Sequence, residues 1–207
     1  MVLDLLVSLA LAVVCVAAAY AIARVNGWLV ALGTLVCLAL WVYGFAHSLR
    51  WYPWVSVVDV LLAIGLGALL GRAVPARFTP FCAMLVILSV LDALQVSLGA
   101  HHAKALPRTP LSPGALYANV TFWIAGTRYA MGPVDLLVMT AIGTYWSRRG
   151  ARGLRPFVGL AVGLVLAYAW LAAHQGSVLA LIPFLSFGWL VSAVRLPMRR
   201  AKAQGAR

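Results

Sequence analysis

Apolar residues run in long blocks along this chain, separated by short segments in which arginine, proline and tryptophan collect. A helix needs about 20 apolar residues to cross a bilayer, with a range of about 17–25. Seven stretches meet that length: roughly 3–23, 27–46, 54–71, 79–99, 131–147, 156–174 and 177–195. Pro53, Pro80, Pro133 and Pro156 fall near the expected helix starts, where a missing N–H costs little. Trp28, Trp51, Trp54 and Trp146 fall at the expected boundaries, as interfacial aromatic belts require. The pattern predicts an all-α, polytopic membrane protein with about seven transmembrane helices, residues 1–207 forming a single transmembrane domain.

Residues 100–130 break the rhythm. They form a loop of about 30 residues, opening with His101 and His102 and passing through Pro107, Pro110 and Pro113. Tyr117, Val120, Thr121, Phe122, Trp123 and Ile124 then make a β-prone run, too short to span and too apolar to lie free in water. It reads as a re-entrant or interfacial element, an extended strand being one form. Non-helical backbone at membrane depth survives only when buried in protein or lining a wet cavity. Asn119-Val120-Thr121 matches a glycosylation sequon, a match common by chance.

Composition sharpens the class. The chain is 64% hydrophobic and 10% charged, against about 45–50% and about 25% in soluble domains. A mean hydropathy of +0.99 over the whole chain excludes one anchor on a soluble body. The first run is not a signal peptide by pattern, since it lacks a basic start and carries Asp4. The net charge of +12 points to topology and to the anionic inner leaflet, not to nucleic acid, because no basic domain free of apolar runs exists. With the N-terminus outside and the C-terminus inside, the inner side holds Arg24, Arg72, Arg77, Arg148, Arg149, Arg152, Arg155, Arg195, Arg199, Arg200, Lys202 and Arg207. The outer side holds only Arg50, Lys104, Arg108 and Arg128, so basic residues divide twelve to four. Cys15, Cys37 and Cys82 all lie in apolar runs and fit no metal spacing. Gly65, Gly67, Gly71, Gly159 and Gly163 read as points of close helix approach.

A carboxylate within a membrane helix costs at least about 2.5–3.5 kcal/mol on insertion scales. Only four acids occur here, all aspartates. Asp92 falls about two turns before the end of the fourth expected helix, and Asp135 about one turn into the fifth. Consecutive helices run antiparallel, so both carboxylates belong to the same outer third of the bilayer. Two aspartates that share a proton can divide the roles of base and acid on a water molecule. Such residues also serve as proton relays, ion sites or hydrogen-bonded packing devices. Asp59 falls at comparable depth and could replace either partner, whereas Asp4 reads as solvated.

Three segments together resemble a known family. Ser89-Val90-Leu91-Asp92-Ala93-Leu94-Gln95-Val96 resembles the Tyr-Asp helix of the GxGD-type intramembrane aspartyl proteases, the presenilin and signal peptide peptidase superfamily. Gly132-Pro133-Val134-Asp135-Leu136-Leu137 resembles their Gly-x-Gly-Asp helix. Leu179-Ala180-Leu181-Ile182-Pro183, followed by Ser186-Phe187-Gly188, resembles their Pro-Ala-Leu helix. Order and helix spacing agree over roughly 79–195, and the long loop between the dyad helices agrees too. Leu91, Val134 and Leu179 stand where the family has tyrosine, glycine and proline, and seven helices stand against its usual nine. The resemblance implies peptide-bond hydrolysis in a membrane-embedded protein or peptide substrate, with Asp92 and Asp135 catalytic and no cofactor. It implies substrate contacts at Gly132, Ala180, Leu181 and Pro183, with the substrate unwound beside residues 114–128. The orientation looks like that of signal peptide peptidase.

Related readings stay open. Ala130-Met131-Gly132 through Asp135 also resembles the second motif of type IV prepilin peptidases, which place another helix between their two aspartates. Lipoprotein signal peptidase shares an outer-facing Asp pair, but its Asn and Arg neighbours are missing here. His47, His101, His102 and His174 map to the same outer side as the aspartates, so Asp59 with these histidines could hold zinc or copper, or handle protons. A catalytically inactive structural membrane subunit is the remaining alternative.

Overall fold

The computed structural model describes residues 2–49, 53–103, 120–124, 127–151, 154–174 and 179–194. Arg50, Trp51, Lys104, Pro107, Arg108, Pro110, Pro113, Tyr117, Asn119, Arg152 and the basic tail from Arg195 onward lie outside the described residues. Seven helices are described: α1 (Val2–Ile22), α2 (Gly27–Ala46), α3 (Trp54–Ala73), α4 (Phe78–Ala103), α5 (Pro133–Arg148), α6 (Arg155–Ala173) and α7 (Ile182–Val194). Between α4 and α5 stand two strands, β1 (Val120–Ile124) and β2 (Thr127–Met131). Helices α1, α2, α3 and α6 are long and apolar enough to cross a membrane. Large apolar side chains such as Leu29, Leu32, Leu61, Val86, Ile87 and Val158 lie on the outer surface, which suits lipid tails as the surrounding solvent.

Several boundaries differ from the sequence expectation. Helix α4 runs to Ala103 and not to 99, so His101 and His102 fall in a helix and do not open the loop. The fifth helix starts at Pro133 and not at 131, because Met131 closes strand β2 and proline fits only a first turn. The seventh starts at Ile182 and not at 177, for a related reason: Pro183 sits in its first turn, and Leu179, Ala180 and Leu181 are not helical. The β-prone run is a strand, but it is half of an antiparallel hairpin in which Val120 pairs with Met131 and Ile124 with Thr127. This hairpin lies against α3.

Helix α5 forms the centre. Leu136 and every residue from Val138 through Trp146 are buried, and the only hydroxyls of serine or threonine among them belong to Thr140 and Thr144. Those two hydroxyls donate to Leu136 O and Thr140 O within the helix, so they add no unpaired group to the core. Small residues let the neighbours close in. A Cβ on Gly67 would meet Leu137 O and Thr140, and one on Gly71 would meet Thr144 at 2.7 Å. Both positions advance by four, so α3 and α5 run parallel. Gly143 admits Ala19 and Val16 of α1, and Gly188 of α7 touches the Gly159 and Gly163 backbone of α6. Phe81, Tyr145 and Trp189 join α4, α5 and α7 through ring contacts of 4.3–5.3 Å.

Arginines close one end of the bundle. Arg148 donates to Gly71 O, Arg72 O and Val74 O, closing the end of α3. Arg72 donates to Ile22 O at 2.6 Å and Val25 O at 2.9 Å, closing α1. These carbonyls are the acceptors a helix leaves unpaired at its C-terminus, where positive charge is favoured. The C-terminal ends of α1, α3 and α5 therefore share one end, and the aspartate-bearing segments lie toward the other.

Candidate active site

Asp135 occupies the first turn of α5. Gly132 is the N-cap residue, with φ −64° and ψ 137°, and it has no side chain to cap with. Asp135 supplies the missing half: its amide donates to Gly132 O at 3.1 Å, and its carboxylate folds back to accept the Gly132 N–H. This is the return arm of a capping box. A Cβ on Gly132 would come 3.0 Å from Asp135 Oδ2, so the glycine keeps that carboxylate close to the chain. Val134 points outward, at 44% exposure. The residue that stands where the resembled family has glycine is thus on the exposed surface of α5.

Asp92 lies in the second half of α4, half-buried. Its Oδ2 accepts the Ile182 N–H at 2.9 Å, across 90 residues of sequence. Ile182 opens α7, and Leu181 at the N-cap position accepts from Phe184 N and Leu185 N through its carbonyl. Leucine has no polar atom to offer the first amides, so Asp92 caps α7 from a neighbouring helix. The Asp92 and Asp135 carboxylates lie within Coulombic reach of each other. The segment 179–183 is thereby brought to Asp92, while Asp92 and Asp135 stand at the same end of the bundle. The three segments that carry the resemblance lie at one end of the bundle, two of them joined by the bond from Ile182 to Asp92.

The other polar residues sort differently. Asp59 is 2% exposed and accepts a hydrogen bond from the Trp41 side chain of α2, while its Oδ2 has no partner among the described residues. Asp4 and Asp135 both act electrostatically on Tyr168, whose hydroxyl lies 2.8 Å from Ser8 Oγ. His47 ends α2 with its ring 4.4 Å from Tyr43. His174 ends α6, stacked on Trp170 and bonded to the Trp170 carbonyl at 3.0 Å. His101 and His102 fall in the last turn of α4, and their side chains lie outside the described set. Among the described residues no group of three His, Cys, Asp or Glu side chains converges to hold a metal ion.

Three features escape sequence reasoning: the Ile182 amide as partner of Asp92, the Ser8–Tyr168 pair, and a bond between Ser89 Oγ and Ser186 Oγ at 2.9 Å. The available signal is a polar residue within an apolar helix, which marks the position but not the partner. No family model, no curated protein and no solved structure matches the chain.

Proposed function

We propose that the protein is a multi-pass membrane hydrolase of the intramembrane aspartyl protease type, with Asp92 and Asp135 acting together on water. The observation that supports the reading is the placement of Asp92, Asp135 and the start of α7 at one end of the bundle, with Asp92 bonded to the Ile182 amide. In this mechanism one carboxylate takes a proton from water while the other supplies one to the peptide group. Ala180, Leu181 and Pro183 would line the substrate path, because their segment ends on the amide that Asp92 holds. Gly132 would do so beside Asp135. The β1–β2 hairpin supplies an extended backbone edge beside which a substrate helix can unwind. Orientation would be N-terminus out and C-terminus in, the arginine end facing the anionic leaflet.

A second reading has its own support: each carboxylate already serves a helix N-terminus, as a structural subunit without chemistry would need. One pair of variants separates the two. Asn at position 92 or 135 keeps an oxygen that accepts the same amide but cannot exchange a proton. The purified protein in liposomes, with a fluorogenic transmembrane peptide, should lose about 10²–10⁴ in rate on Asp92→Asn and on Asp135→Asn, with its melting temperature kept. Unchanged cleavage in both variants would overturn the dyad as the catalytic pair, and no cleavage by the wild type over a panel of peptides would leave the structural reading standing.

A further inference from the structure

The α4–α7 contact carries two polar rungs. The first joins Asp92 Oδ2 to the Ile182 amide at 2.9 Å, and the second joins Ser89 Oγ to Ser186 Oγ, also at 2.9 Å. Ser89 precedes Asp92 by three residues and Ser186 follows Ile182 by four, so each helix presents both groups on one stripe. The serine rung lies one turn further into the bundle. On its other flank, the start of α7 offers Pro183, Phe184 and Phe187 to an apolar cavity of about 460 Å³, shared with Leu166 and Trp170 of α6. On the same flank Gly163 of α6 lies against the Phe184 and Leu185 backbone, so α7 is seated on α6, and the register left to set is that of α4 against α7.

Near the start of α7 the described polar contacts between α4 and α7 are these two rungs, and the two are not equivalent. A carboxylate that gives and takes protons changes as an acceptor during each turnover, so its hold on Ile182 changes with it. The hydroxyl pair does not change. We propose that Ser89 and Ser186 are positioning residues: their bond holds the first turn of α7 in register with α4 and so sets where Asp92 stands relative to Asp135. The catalytic half of this inference rests on the dyad reading above, while the register half does not.

The test uses the full chain in liposomes, with Ser89→Ala, Ser186→Ala and Ser186→Thr. Two quantities are read: kcat and KM on a transmembrane peptide, and hydrogen exchange at the amides of 182–185. Each alanine variant should speed that exchange by about 3–20-fold, the worth of one hydrogen bond between membrane helices. It should lower kcat by about 10–100-fold, the effect of a small misplacement of a reacting group, with KM held within about twofold. The Ser186→Thr variant, which keeps the hydroxyl, should hold both quantities at the wild-type level. Exchange unmoved in both alanine variants would overturn the register role. Faster exchange with unchanged kcat would overturn the catalytic role. A wild type that cleaves nothing would remove the dyad reading, and the exchange result would still decide the register.

Discussion

Asp92 and Asp135 each face two demands at once, because a carboxylate that ends a helix is also a carboxylate placed beside a neighbour. The capping half can be measured without any substrate. Removing a side-chain cap costs about 0.5–2 kcal/mol. Asp92→Ala should therefore lower stability by about that amount in a detergent melt, whereas Asp92→Asn, which keeps the acceptor for the Ile182 amide, should cost less than half as much. Equal losses in the two variants would show that the bond to Ile182 contributes nothing. The sequence makes these aspartates conspicuous because acids are so scarce within the apolar runs. It cannot make their partners conspicuous: the acceptor of one is on α4 and its donor on α7, and a backbone amide leaves no mark in a sequence. Val134 shows the same limit, since the sequence places it beside Asp135 but only the helix phase leaves it 44% exposed.

At the scale of elements, lengths of apolar sequence predict seven helices because membrane-length runs have few other solutions. Ends are set by local chemistry that run length does not see, as Pro133 and Pro183 show. The hairpin is half legible: β1 has the β-branched and aromatic composition of a strand, while Thr127–Met131 is a strand only by virtue of its partner. Glycine positions are legible as a class, and the structure supplies the partner that makes each one necessary. Gly188 is the sharpest case, since a Cβ there would run into Gly159 O and meet Gly163 N at 2.7 Å, both backbone atoms that cannot swing aside. Gly188→Ala should destabilise the α6–α7 pair by about 1–3 kcal/mol, the usual cost of overpacking. Gly33→Ala, with nothing within 4 Å of its added Cβ, should be neutral or slightly stabilising in the same melt. If both variants melt alike, close approach at Gly188 is not what holds α7 to α6. Arg148 tests the opposite end: Arg148→Ala strips donors from three carbonyls at the end of α3 and should cost about 1.5–3 kcal/mol, as loss of a charged hydrogen-bond donor does.

The molecule as a whole is polarised. Asp4, Asp59, Asp92 and Asp135 belong to the end where α1, α3, α5 and α7 begin or where α4 finishes, and Arg24, Arg72, Arg77, Arg148, Arg149 and Arg155 belong to the other. Part of this basic charge is used inside the fold, since Arg72 and Arg148 bond carbonyls of α1 and α3. The remainder can meet an anionic surface, at about 1 kcal/mol for each residue near it. Under the proposed function, that asymmetry would set a direction in the membrane and so the side from which water and substrate reach Asp92 and Asp135. Ser48, exposed between α2 and α3, marks the aspartate end, and Leu154, 75% exposed before α6, marks the arginine end. With Cys15, Cys37 and Cys82 replaced by alanine, single cysteines at these two positions report the sidedness. On intact cells a membrane-impermeant maleimide should label Ser48→Cys at once and Leu154→Cys only after the membrane is opened. The reverse pattern would turn the bundle over, placing Asp92 and Asp135 at the cytoplasmic face and leaving the arginine end without the anionic leaflet that its charge suits.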